Sequence, residues 1–128
     1  MKYLLDTHTL LWFFSDVENL PQTSFGAIMD PLNEIYVSIV SAWELAIKIS
    51  IGKLIFDGGV NNFFKVIRDN GFTIISVKED YVKLIEYLPL IHRDPFDRML
   101  VATAVSEKMS IITADANIHK YSVDCIWQ

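Results

Sequence analysis

Lys2-Tyr3-Leu4-Leu5-Asp6-Thr7-His8-Thr9-Leu10-Leu11-Trp12-Phe13-Phe14 compresses the logic of the chain into one stretch. Lys2 to Leu5 reads as a short buried strand, ended at once by the acid Asp6. Thr7 to Phe14 reads as a helix, because Leu10, Leu11, Phe13 and Phe14 give it a broad apolar face at helical spacing. Working outward, the same alternation returns. Pro21-Gln22-Thr23-Ser24 marks a turn and a helix start, and that helix ends near Asp30-Pro31. Glu34 to Ser38 is strand-like, with Ile35, Tyr36 and Val37 all β-formers. Ser41 reads as the cap of the next helix, with Glu44 three residues on at the capping-box position. This helix runs to about Ile51 and stops at Gly52. A loop through Gly58-Gly59 leads to a helix from Val60 to Asp69, closed by Asn70-Gly71. Phe72 to Val77 is a predicted strand, Glu79 to Leu88 a helix and Pro89 to Asp94 a loop. Pro95 suits the first position of a helix running to Lys108. Ser110 to Thr113 is a strand, Ala116 to Lys120 a helical turn, and Val123 to Trp127 a final edge strand. Strands alternating with helices predict an α/β fold with a largely parallel central sheet, in which ligands bind beyond the carboxyl ends of the strands.

The 128 residues suggest one domain, spanning 1–128, with no repeat, linker or low-complexity segment. Hydrophobic residues make up 52%, enough for a full core. No apolar run reaches the length of a membrane span. The apolar start before Asp6 is too short for a signal peptide, and no membrane partner is expected. Cys125 is the only cysteine, so no internal disulfide is possible and a cytoplasmic location is expected. The net charge of −5 argues mildly against bulk electrostatic grip on nucleic acid. The bases are grouped locally, however: Lys48 with Lys53, Lys65 with Arg68, Arg93 with Arg98. Each pair also reads as ordinary solvated charge.

Four acids stand at the ends of predicted elements: Asp6, Glu44, Asp97 and Asp115. Each has a bland alternative. Asp6 could cap the first helix. Glu44 could close a capping box or pair with Lys48. Asp94 is placed as a helix cap and Asp97 as an acid favoured by the helix dipole. Yet Asp97 shares a stripe with Leu100, Val101 and Ala104, which turns it toward the interior. Asp115 could be a turn residue. Together they suggest something more. Clustered carboxylates repel one another unless a cation sits among them, and hard divalent ions such as Mg²⁺ take carboxylate oxygens. An open site of that kind can activate water against a phosphodiester. No HExxH, CxxC or P-loop pattern occurs, and His8, His92 and His119 are scattered. Trp12, Trp43 and Trp127 read as core or interface residues.

At these residues the chain resembles the PIN-domain family, and within it the VapC-type toxins of bacterial toxin–antitoxin pairs. Leu5 to Trp12 is similar to that family's opening motif. Ser41-Ala42-Trp43-Glu44-Leu45-Ala46-Ile47-Lys48 with Gly52-Lys53-Leu54 is similar to its second. His92-Arg93-Asp94-Pro95-Phe96-Asp97-Arg98-Met99-Leu100 is similar to its third and most specific. Ile112-Thr113-Ala114-Asp115, with Tyr121 and Trp127 beyond, is similar to its close. The resemblance implies a PIN-like three-layer sandwich, with a central, mostly parallel sheet flanked by helices. It implies Asp6, Glu44, Asp97 and Asp115 as catalytic and metal-site acids, with Thr113 supporting the fourth. It further implies an Mg²⁺- or Mn²⁺-dependent endoribonuclease that dimerises and is held by a cognate antitoxin, meeting operator DNA only through it.

The expected reaction is hydrolysis by metal-activated water, leaving a 5′-phosphate and a 3′-hydroxyl. Lys48, Arg93 and Arg98 are candidates for RNA phosphate contacts, or for pairing that holds the carboxylates. Three other readings compete. A phospho-acceptor receiver domain shares the length and alternation, but wants paired acids after the first strand, where only Asp6 stands. A PIN-fold binding module with little catalysis suits the apolar, acidic composition. A DNA-processing nuclease would share the site chemistry.

Overall fold

The computed structural model describes residues 1–128. Five strands form one sheet in the order β3-β2-β1-β4-β5: β1 Lys2–Leu5, β2 Glu34–Ser38, β3 Thr73–Ile75, β4 Ser110–Ile112 and β5 Cys125–Ile126. All four pairings are parallel. Six α-helices connect them: α1 Thr7–Ser15, α2 Gln22–Met29, α3 Ile39–Ser50, α4 Gly59–Asp69, α5 Glu79–Ile85 and α6 Pro95–Glu107. No helix is long and apolar enough to cross a membrane.

Side chains alternate across a strand, so each strand feeds two cores. Tyr3 and Leu5 of β1, Ile35 and Val37 of β2 and Ile112 of β4 face one side. There they meet Leu10 of α1, Ile28 of α2, Ala42 and Leu45 of α3, and Phe63 and Ile67 of α4. Leu4 and Ile111 face the other side, onto Leu100, Val101 and Ala104 of α6. The result is the helix–sheet–helix sandwich expected from the alternation. Strands covered on both faces need continuous apolar runs, which is why β1 and β4 read so clearly.

The helix boundaries differ from the sequence reading at one informative place. Ser41 does not cap α3. The strand runs straight into the helix, and Ser38 is the cap, its hydroxyl accepting the Val40 N–H. Ser41 lies inside the first turn, fully buried, and its hydroxyl has no hydrogen-bond partner. Glu44 is therefore not a capping-box acid. The strand expected over Phe72 to Val77 shortens to Thr73–Ile75, and the final edge strand to Cys125–Ile126. Both are edge strands, paired on one side only, where pairing frays first.

The sheet order places the switch in chain direction beside β1. From β1 the chain moves to β2 and β3 on one side, while β4 and β5 lie on the other. The ends of β1 and β4 therefore open a crevice between diverging connections, which is where open parallel sheets bind ligands.

Candidate active site

Asp6 leaves β1 at this crevice and Thr113 leaves β4 beside it. Asp6 both caps α1 and faces the candidate site, because its two oxygens divide the work. Oδ1 accepts the Thr9 N–H at 2.8 Å, and Oδ2 accepts the Thr113 hydroxyl. The carboxylate is buried, and burial pushes its pKa up, with the bonds from Thr113 and Thr9 offsetting part of the shift. The Thr113 hydroxyl in turn accepts the Asp115 N–H at 3.0 Å. One side chain thus links the acids after β1 and β4. Asp115 also accepts the Asn117 N–H at 2.7 Å, so its turn role is real as well. Asp6, His8, Trp12, Ala114 and Asp115 line a hollow of about 200 Å³.

Glu44 enters from α3. It is buried, and Oε1 accepts the Thr7 hydroxyl at 2.8 Å while Oε2 pairs with Lys48 at 2.9 Å. Thr7 follows Asp6 directly, so Glu44 is tied to the same corner. Asp97 enters from the first turn of α6. Asp94 caps that turn, its Oδ1 accepting the Phe96 and Asp97 N–H groups at 2.9 and 3.0 Å. The Asp97 carboxyl is pushed up to about 6, chiefly by burial and then by the Asp94 charge. The His92 hydrogen bond lowers it, while the charges of Asp115 and Glu44 raise it further. Asp97 therefore lies within the field of Glu44 and Asp115.

The donor chemistry fits a hard divalent cation: four carboxylates, two of them held against their own ionisation. The arrangement is not a ready-made cage. No group of three or more His, Cys, Asp or Glu side chains converges tightly enough to hold an ion. The carboxylates are turned onto protein partners instead: Thr9 and Thr113, Thr7 and Lys48, His92, and Asn117. Ion binding would have to draw some of them off.

The basic candidates separate. Lys48 stays beside Glu44, and Arg93 is exposed. Arg98 is turned away from both roles considered for it. Its guanidinium donates to the carbonyls of Pro89 (2.9 Å), Ile85 (3.4 Å), Leu88 and His92 (both 3.5 Å), and to the Tyr121 hydroxyl at 3.0 Å. It pins the α5–α6 loop and touches no carboxylate. Trp12 and Trp127 pack on each other with ring centres 5.5 Å apart. Trp43 does not fill the core: it is 61% exposed, edge-on to Phe96. Sequence reasoning missed Thr7 and His92. Thr7 carried one signal, its place next to Asp6. His92 lies five residues before Asp97 and outside its helix, so no periodicity connects them.

A sequence model of the PIN domain matches residues 3–124. The chain belongs to the PIN-domain family. No curated protein shows significant sequence similarity to it. Solved structures agree with the PIN fold. The chain is similar to VapBC2 from Rickettsia felis, bound to a DNA fragment from their promoter, with a TM-score of 0.77 and 15% identity over all of both chains. It is similar to VapBC-1 from nontypeable Haemophilus influenzae, with a TM-score of 0.69 and 16% identity over 98% of this chain and 97% of that one. VapBC-5 from Mycobacterium tuberculosis gives 0.66 and 17%, over 99% of this chain and 98% of that one. At such identities these likenesses speak for the PIN fold alone.

Proposed function

We propose that this PIN domain is a divalent-metal-dependent endoribonuclease, the VapC-type toxin of a toxin–antitoxin pair. One observation carries the reading: acids from four places in the chain line the switch-point end of a parallel sheet, where burial raises the pKa of Asp6, and burial with the charges of Asp94, Asp115 and Glu44 raises that of Asp97. Acids arranged against their own ionisation are a mark of functional sites. Asp6 and Asp97 would hold Mg²⁺ or Mn²⁺, with Glu44 and Asp115 completing the set directly or through water. When bound, the ion would activate water in line with a phosphorus and neutralise charge on the leaving oxygen.

The chain's own residues do the rest. Thr113 aims the Asp6 carboxylate and fixes the backbone of Asp115. Thr7 and Lys48 hold Glu44 from two sides. Lys48 and Arg93 are the bases open to an RNA phosphate. The complexes to which this chain is similar support an antitoxin partner. In this proposal operator DNA is met only through that partner. A homodimer completes the proposal. The carboxylates' protein partners favour one second reading, a PIN fold that binds without cutting.

Cleavage of labelled single-stranded RNA by wild-type and Asp6→Asn protein separates the two. With Mg²⁺ or Mn²⁺ the wild type should cut, leaving 5′-phosphate and 3′-hydroxyl ends. Chelator and Asp6→Asn should each abolish cutting. A 2′,3′-cyclic phosphate would overturn the mechanism, and antitoxin-free folded protein that never cuts would support the binding module.

A further inference from the structure

Asp97 is the end of a hydrogen-bond chain whose direction can be worked out. Its Oδ2 lies 3.3 Å from His92 Nε2. His92 Nδ1 lies 2.8 Å from the Tyr121 hydroxyl, and that hydroxyl accepts from Arg98 Nη1 at 3.0 Å. Arg98 has donors and no acceptor, so the Tyr121 oxygen must accept from it. The hydroxyl proton is then free to point at His92 Nδ1. A neutral imidazole that accepts at Nδ1 carries its proton at Nε2, and Nε2 faces the carboxylate. Every link donates the same way, from Arg98 to Tyr121 to His92 to Asp97.

The chain is sheltered and anchored. The His92 and Asp97 side chains are 13% and 18% exposed, and Tyr121 is buried. Arg98 is fixed at its far end by the carbonyls of Ile85 at the end of α5 and of Leu88 and Pro89 in the loop after it. We propose that His92 is a positioning residue, locked in its Nε2–H form by Tyr121 and Arg98, which holds the Asp97 carboxylate in the orientation the metal site needs. This rests on the nuclease reading above. Partners behind a metal-binding carboxylate commonly matter about 10–100-fold in affinity or activity.

Two measurements test it. Long-range ¹H–¹⁵N spectra of the ion-free wild type should show His92 protonated at Nε2 and bare at Nδ1; a proton on Nδ1 alone would overturn the chain. Mn²⁺ titration should then show binding weakened about tenfold or more in His92→Leu, with RNA cleavage falling alongside. His92→Gln, whose amide can donate from near the Nε2 position, should recover most of the loss. Tyr121→Phe keeps the ring and should lose the tautomer lock. Thermal midpoints of the variants report folding separately. His92→Leu that is folded and binds Mn²⁺ as wild type does would sink this role and leave the nuclease reading standing. Wild-type protein with the expected tautomer but no Mn²⁺ binding and no cleavage would overturn both.

Discussion

A single carboxylate serves two ends in Asp6, and the division between its oxygens explains how. Capping α1 occupies Oδ1, while Oδ2 turns to Thr113 at the crevice. A residue that caps a helix thereby keeps one oxygen turned to the crevice, so the capping reading does not exclude the proposed site role. Asp97 allows a sharper statement. Its carboxyl stands at about 6, against an ordinary value of 3.8. The folded state therefore holds the proton more tightly than the unfolded chain does. Stability from this group is fully present below about pH 4 and is lost as pH rises through about 6. In chelator, Asp97→Asn should be more stable than wild type at pH 7, on the order of 1–3 kcal/mol, with the advantage gone near pH 4. Urea melts at the two pH values check this. An advantage that does not change with pH would contradict the assigned cause.

Legibility varied by element, for physical reasons. β1, α1 and β2 were readable because each is an apolar run bounded by a polar residue that does structural work. α3 misled because Ser41 and Glu44 imitate a capping box, whereas the strand feeds directly into the helix and Ser38 takes the cap. Local pattern cannot report that a connecting loop is missing. Arg98 misled for the opposite reason: its partners are carbonyls of the α5 end and the loop after it, which no side-chain pattern encodes. The start of α6 was fully legible in Asp94-Pro95, and the geometry supports a prediction there. Asp94→Ala should cost about 1 kcal/mol of stability through loss of the cap. It should also lower the Asp97 pKa, because the Asp94 charge raises it more than any cause but burial. Denaturant melts and carboxyl-resolved NMR titration read the two effects separately.

At the scale of the molecule, the net charge of −5 and the few bases beside the candidate acids constrain how the proposed RNA substrate would be gripped. With Arg98 committed to its loop, Lys48 and Arg93 are left near the acids. Binding of single-stranded RNA by Asp6→Asn protein should therefore depend weakly on salt, with a log–log slope of about −1 to −2. Anisotropy titrations across salt concentrations measure it, and a steep slope would reveal a basic surface elsewhere, or supplied by a second copy. The sheet order bears on when such an activity can exist at all. β1 is translated first, yet its neighbour β4 and the Thr113 that holds Asp6 stand 107 residues later. On the ribosome, the corner built from Asp6, Thr113 and Asp115 cannot close until the chain has been read through Asp115. Pairings this distant in the chain also form slowly. Synthesis of the intervening residues thus imposes a delay of its own before Thr113 can take hold of Asp6.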